Sequence, residues 1–210
     1  MKKPIRPEIP RKTIYRLSIY LRCLQRLKLK GLRTVSSDAL AEDAGVKPTQ
    51  LRKDLTYFGQ FGTRGLGYDV EQLAAMNTDL LGTKRLQPVV LVGVGNLGLA
   101  LLLYRGFERE GFEIVAAFDV QADRRRNKRC QQPIFAMDKL EEVVRERGVR
   151  MAILTVPATA AQDVATRLVN CGIAGILNFA PVVLQVPEEV IVNTVNVAIE
   201  LENLSYHIQD

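Results

Sequence analysis

Residues 93 to 98 read Gly93-Val94-Gly95-Asn96-Leu97-Gly98, a Gly-x-Gly-x-x-Gly run that directly follows the apolar stretch Pro88-Val89-Val90-Leu91-Val92. In such a loop Gly93 permits a tight turn, Gly95 lets the backbone approach a pyrophosphate, and Gly98 allows a helix to pack closely on a sheet. Val94, Asn96 and Leu97 complete the loop, at a helix N-terminus whose N–H groups and positive potential suit phosphate. Asp119 lies 21 residues beyond Gly98, at the end of the apolar run Ile114 to Phe118. A carboxylate there accepts both hydroxyls of a ribose and repels a 2′-phosphate, so the expected cofactor is NADH/NAD+. The run Arg124-Arg125-Arg126-Asn127-Lys128-Arg129 keeps NADP(H) open as a lesser alternative, because arginines in this loop bind that phosphate.

The residues that would turn such a site into an enzyme are scarce. Hydride transfer usually needs a proton donor beside the substrate carbonyl, commonly His, or Tyr activated by Lys. The one histidine, His207, sits near the C-terminus, and none of the six tyrosines has a lysine four positions on. No glycine-rich loop ends in Gly-Lys-Ser/Thr. Cys23, Cys130 and Cys171 are odd in number and widely spaced, which fits reduced thiols and no metal. The expectation is a dinucleotide-binding protein that is not an enzyme. A reductase using lysine or a carboxylate as acid stays open as the alternative.

Positioning this loop requires alternating strands and helices. Apolar runs at Pro88 to Val92, Ile114 to Phe118, Met151 to Val156, Ile173 to Leu177 and Val190 to Val195 read as buried parallel strands, with a weaker one at Pro133 to Ala136. Helices are predicted over Leu97 to Arg109, Asp138 to Glu146 and Ala160 to Asn170. The fold class is α/β, with a Rossmann-type parallel sheet domain over residues 86–196.

The first 85 residues follow a different pattern. Apolar side chains at Ile14, Leu17, Leu21 and Leu24 make one helical stripe, with Thr13 as a cap and Gly31 as a stop. Ser36 or Ser37 can cap a second helix ending at Gly45, and Pro48 opens a third that runs to about Phe58. Ala41, four residues before Gly45, suits the tight turn of a helix-turn-helix. The glycine-rich stretch Gly59 to Tyr68 reads as a hairpin, giving an N-terminal winged helix-turn-helix domain. A polar helix over Gln72 to Leu80 and a linker at Gly82-Thr83-Lys84-Arg85 follow.

Gln50, Arg52, Lys53, Thr56 and Tyr57 are the polar groups of the third helix, with Leu51, Leu55 and Phe58 left for the core. Arg and Lys bond guanine edges or neutralise phosphates. Thr63-Arg64 forms the wing tip, from which Arg64 can enter a minor groove. Charge points the same way: residues 1–85 carry 17 basic and 8 acidic groups, whereas 86–210 carry 12 and 15, within a net +6. A small basic domain beside a near-neutral one is the footprint of binding to a phosphate backbone. A winged helix that contacts protein is the competing reading. No apolar stretch approaches the roughly 18 to 20 residues of a membrane helix, and Met1-Lys2-Lys3-Pro4 opens no signal core, so a cytoplasmic protein is expected.

Gln50-Leu51-Arg52-Lys53-Asp54-Leu55-Thr56-Tyr57-Phe58-Gly59, with Thr63 to Asp69, Val92 to Gly98, Ala116-Ala117-Phe118-Asp119, Thr155-Val156-Pro157, Gly175 to Pro181 and Leu204-Ser205-Tyr206, resembles the Rex family of redox-sensing repressors from about residue 13 onward. The resemblance implies a homodimer on palindromic double-stranded operator DNA, released when NADH binds. It also implies that residues 197–210 form a C-terminal helix exchanged between subunits. It carries Arg52 and Lys53 to the recognition helix and Arg64 to the wing. Gly93, Gly95, Gly98, Asp119, Thr155, Val156, Pro157, Asn178 and Phe179 go to the nucleotide site. Arg22 and Tyr104 match a redox-responsive contact between subunits, whose third member in the family is an aspartate. Asn196 stands there in this chain, able to hydrogen-bond Arg22 but not to pair with it as an ion. Val197 replaces a usual aromatic, and Arg105 a usual proline.

Overall fold

The computed structural model describes residues 9–59, 61–63, 66–125 and 130–208. The chain divides after Arg85 into two compact units.

In the first unit, helix α1 (Arg11–Leu29) buries Leu17, Tyr20, Leu21 and Leu24 on one stripe. Its N-cap is Pro10 and not Thr13, whose buried hydroxyl turns inward to Asp54. After β1 (Thr34–Val35), the Ser36 hydroxyl accepts from the Ala39 N–H at 3.1 Å and opens α2 (Ser37–Asp43). Gly45, at φ +66°, turns the chain so that the Val46 N–H reaches back to the Ala41 carbonyl at 2.9 Å. A left-handed φ favours glycine, and fully buried Ala41 leaves room for the turn. Pro48 then begins α3 (Pro48–Thr56), where its missing N–H costs nothing. The wing is β2 (Gly62–Thr63) paired antiparallel to β3 (Gly67–Asp69), with β1 on the other side of β3. Helix α4 (Val70–Leu80) packs on α1 and buries Val70 and Leu73, so the segment predicted as polar helps close this core.

The second unit is a six-stranded parallel sheet. Its strands are β4 (Gln87–Val92), β5 (Phe112–Phe118), β6 (Ile134–Phe135), β7 (Met151–Leu154), β8 (Gly175–Asn178) and β9 (Ile191–Thr194), in the order β6-β5-β4-β7-β8-β9. That is the doubly wound arrangement whose order reverses at the first strand, β4, and such sheets bind ligands at the carboxyl ends of strands at this switch point. Short α7 (Ala122–Arg125), α8 (Leu140–Glu146) and α9 (Ala158–Asn170) lie between strands.

The single helix predicted over Leu97 to Arg109 is two: α5 (Asn96–Leu103) and α6 (Gly106–Arg109). Tyr104 leaves the helical region at ψ 112°, and its ring folds over Gly106, where a Cβ would lie 2.2 Å from it. The ring meets Phe107 edge-on at 5.0 Å between centroids. The last helix, α10 (Val197–His207), buries none of its residues.

Candidate nucleotide site and nucleic-acid interface

Strand β4 delivers its last residue, Val92, to the glycine loop at the switch point, and three glycines there meet three different surroundings. Gly93 has φ +98°, and a Cβ on it would lie 2.6 Å from the Thr155 carbonyl oxygen. On Gly98 a Cβ would lie 2.0 Å from the carbonyl of Gly93. Those two positions are closed by the protein itself. A Cβ on Gly95 meets nothing within 4 Å, so only something outside the chain can require that glycine. Open space beside a helix N-terminus whose first N–H groups lack intrahelical acceptors is the shape a pyrophosphate fills.

Two side chains brace the loop. The Thr155 hydroxyl donates to the Gly93 carbonyl at 2.7 Å and lies 3.1 Å from that of Val92. Asp119, at the end of β5 and 8% exposed, accepts from the Val94 N–H at 2.7 Å and from the Gln121 N–H at 2.8 Å. Each carboxylate oxygen retains a second lone pair for a ribose hydroxyl. The Val94 N–H is therefore bonded to Asp119, and the Val94 side chain is buried. Asn96 and Leu97 are exposed on the first turn of α5, and Val156 and Pro157 lead from β7 into α9.

Asn178 shapes the chain that follows β8. Its buried amide donates to the carbonyls of Ala180 (3.1 Å) and Val182 (3.0 Å), and its oxygen accepts from the Ala180 N–H at 2.9 Å. These bonds fold the chain after β8 and use both amide hydrogens of Asn178. Its neighbour Phe179 is half-buried against the apolar cluster of β4 and β5.

In the first unit, Arg52 and Lys53 are exposed on α3, and the Arg52 guanidinium donates to the Ser37 hydroxyl at 2.7 Å. A cavity of about 560 Å³ between the helix-turn-helix and the wing is lined by Ser36, Ser37, Arg52, Thr56, Thr63 and Tyr68 among others. Tyr57 is half-buried at the end of α3. Gln50 is half-buried, its amide donating to Asp54 at 2.9 Å. Arg64 and residues 126–129 of the basic run lie outside the described residues. Arg22 is exposed on α1 and Tyr104 exposed after α5. Asn196 caps α10, its oxygen accepting from the N–H groups of Ala198 (3.0 Å) and Ile199 (3.4 Å). Among the described residues no group of three or more His, Cys, Asp or Glu could hold a metal ion, and no helix is long and apolar enough to cross a membrane.

The family model described as "Putative DNA-binding protein N-terminus" matches residues 8–56, and one described as "CoA binding domain" matches residues 84–182. A redox-sensing transcriptional repressor Rex of Carboxydothermus hydrogenoformans is 50% identical over 202 residues, covering 96% of this chain and 97% of that one. The chain belongs to the Rex family of redox-sensing transcriptional repressors. The Rex of Streptomyces coelicolor is 45% identical over 96% of this chain and 78% of its own. The crystal structure of RSP in complex with β-NAD+ and operator DNA aligns with a TM-score of 0.88 at 34% identity, covering 95% of this chain and 92% of that one. RSP in complex with β-NADH aligns at 0.81 and 32%, over 96% and 94%.

One residue of the first unit escaped sequence reasoning. Asp54 is fully buried, and both of its carboxylate oxygens are surrounded by donors. Burial, the largest single influence, pushes its carboxyl up, but bonds from Arg16, Tyr20 and Gln50, with the charge of Arg16, bring it below its usual value. The signal that could have found it is periodic: Leu51, Asp54 and Leu55 fall at one-turn spacing on the inward stripe of α3.

Proposed function

We propose that the protein is a homodimeric transcriptional repressor of the cytoplasm that holds a palindromic operator and is released by NADH. It thereby reads the NADH/NAD+ ratio and catalyses nothing. The observation that carries this reading is the presence in one chain of a basic winged helix and a glycine loop whose Gly95 faces open space. NAD(H) would supply the redox signal. Gly95 would admit its pyrophosphate to the N-terminus of α5, Asp119 would accept from a ribose, and Thr155 would keep the loop in shape. Val156, Pro157 and Phe179 line up at the ends of β7 and β8, beyond the loop, where the remainder of a dinucleotide extends.

On the DNA side Arg52 and Lys53 would reach bases or phosphates, with Thr63 and Arg64 on the wing. RSP, crystallised with operator DNA and β-NAD+ and separately with β-NADH, is the precedent for both partners. The uncovered α10 supports a dimer in which residues 197–210 pack against a second copy, since Val197, Ile199, Leu201 and Leu204 are each at least half exposed. Arg22, Tyr104 and Asn196 would form the contact between subunits that nucleotide binding remakes. Coupling of this kind is reciprocal, so operator DNA must weaken NADH binding by the factor by which NADH weakens the operator.

The test is selection of an operator from random duplexes, then titration of the complex with NADH, NAD+ and NADPH at fixed salt. Release by NADH where the other two do little is the expected result. Steady NADH consumption with a small carbonyl compound, lost on Gly95→Asp, would replace this reading with a reductase.

A further inference from the structure

Helix α3 is fastened to α1 by more than apolar packing. Thr13, Arg16 and Tyr20, at one-turn and two-turn spacing on a single stripe of α1, all reach Asp54 on α3. Arg16 donates through Nε at 2.5 Å and through a terminal nitrogen at 2.7 Å, Tyr20 through its hydroxyl at 2.8 Å, and Thr13 at 3.1 Å. Gln50, one turn before Asp54, adds a bond at 2.9 Å from α3 itself. The Asp54 side chain is 1% exposed and that of Arg16 is 21% exposed. Tyr20 is fully buried and Thr13 nearly so.

A buried ion pair of this kind is poor evidence for stability, because apolar groups of similar volume often hold a fold as well or better. What it adds is direction. Leu51 and Leu55, which flank Asp54, make contacts without directional bonds, whereas a carboxylate held by a guanidinium fork and two hydroxyls has one orientation. Arg52 and Lys53 project from the same turn of α3, so the orientation of Asp54 sets theirs.

We propose that Asp54 is a positioning residue for operator recognition, fixing the rotation and register of α3 on α1 through Arg16, Tyr20 and Thr13. It touches no DNA. The proposal rests on the repressor reading above. It also joins the recognition helix firmly to the helix that carries Arg22, so that a shift of α1 is passed to Arg52 and Lys53 without slack.

The full-length protein is compared with Asp54→Asn and with the apolar replacement Thr13→Val/Arg16→Met/Tyr20→Phe/Asp54→Leu, which removes the linked α1 groups and Asp54 together and leaves half-buried Gln50 to face solvent. Operator binding, binding to random duplex, NADH affinity and thermal stability are measured for each. The expected result is a fall in operator-over-random preference of about ten- to a hundred-fold, the size of losing one or two base contacts. Random-duplex binding and NADH affinity should stay within about two-fold, and the apolar replacement should melt no lower than the parent. A structural role alone predicts that the apolar replacement regains operator preference along with stability, and that outcome overturns the proposal. Unchanged preference in Asp54→Asn also overturns it. A parent protein that prefers no sequence fails the repressor reading and takes the proposal with it, a result separable from the others because it appears before any substitution is made.

Discussion

The hydroxyl of Thr155 donates to the carbonyl of Gly93 across 2.7 Å, tying the chain after β7 to the first glycine of the phosphate loop. The Gly93 N–H is held on its other side by the Phe118 carbonyl at 2.8 Å. The loop is thus braced from both neighbouring strands before any ligand arrives. Thr155→Val keeps the volume and removes the bond. NADH affinity should fall about five- to twenty-fold, the worth of one hydrogen bond of about 1–2 kcal/mol, read by titrating nucleotide fluorescence. An unchanged affinity would mean that the backbone alone shapes the loop.

Gly95 and Gly98 should separate in their response to the same added methyl group. Gly98→Ala pushes a Cβ against the backbone of Gly93 and should cost about 2 kcal/mol or more of stability. Gly95→Ala meets only open space, so its stability should stay within about 0.5 kcal/mol of the parent while nucleotide affinity drops. Thermal melts and nucleotide titrations of the two variants test this together. If both lost stability equally, Gly95 would be a folding residue.

Acid should weaken the first unit through Asp54. Its folded pKa lies below the ordinary one, so the unfolded chain binds more protons in acid. The contribution is complete above the usual aspartate value near about 3.9 and is lost as pH falls through the lower folded value. Tyr20 remains a donor throughout, because burial and then Asp54 push its hydroxyl upward. From about pH 4 downward the parent's melting temperature should fall more steeply than that of Asp54→Asn. Parallel curves would assign the acid sensitivity to other carboxylates.

Arg52 and Lys53 are neighbours with separable signatures. Arg52→Ala should cost about 1–3 kcal/mol at one base position and relax the choice of base there. Lys53→Ala should weaken all duplexes alike and reduce the slope of log affinity against log salt by about 1. Binding to operator and to point-substituted operators over a range of salt distinguishes them. A uniform loss from Arg52→Ala would make it a phosphate contact.

Asn196→Asp should leave the start of α10 capped, because either side chain presents an oxygen to Ala198 and Ile199. It adds the charge with which Arg22 can pair. Melting temperature should stay near the parent's while the ratio of operator affinities with and without NADH changes by about three-fold or more, the low end of allosteric coupling. A ratio that does not move would place the coupling elsewhere in the dimer.

The sheet and its glycine loop were legible because they are local. Strand β4 runs straight into Gly93, and Asp119 follows at the distance one strand-helix-strand unit imposes. The winged helix was legible from Ala41, Gly45 and Pro48 for the same reason. Long-range partners were not. Asp54 sits beside Arg52 and Lys53, and a charge in a charged stretch reads as surface until the fold brings Arg16 to it across 38 positions. Asn178 shares a motif with the nucleotide site, yet only the path of the following chain shows that its amide is consumed. Tyr104 ends α5 with its ring set edge-on to Phe107, which helical periodicity does not reveal. Helix α4 read as polar because its buried face is narrow, with Leu73 and Asn77 one turn apart on it.

Along α10, Val197, Ile199, Leu201, Leu204 and Tyr206 stand exposed, as does Ile208 just beyond it. If only a second copy covers them, assembly and folding share one equilibrium, and the melting temperature rises with protein concentration. Copy number in the cell then does more than set operator occupancy. It also sets how strongly the chain is stabilised by its own assembly, so that gene dosage bears on stability as well as on occupancy.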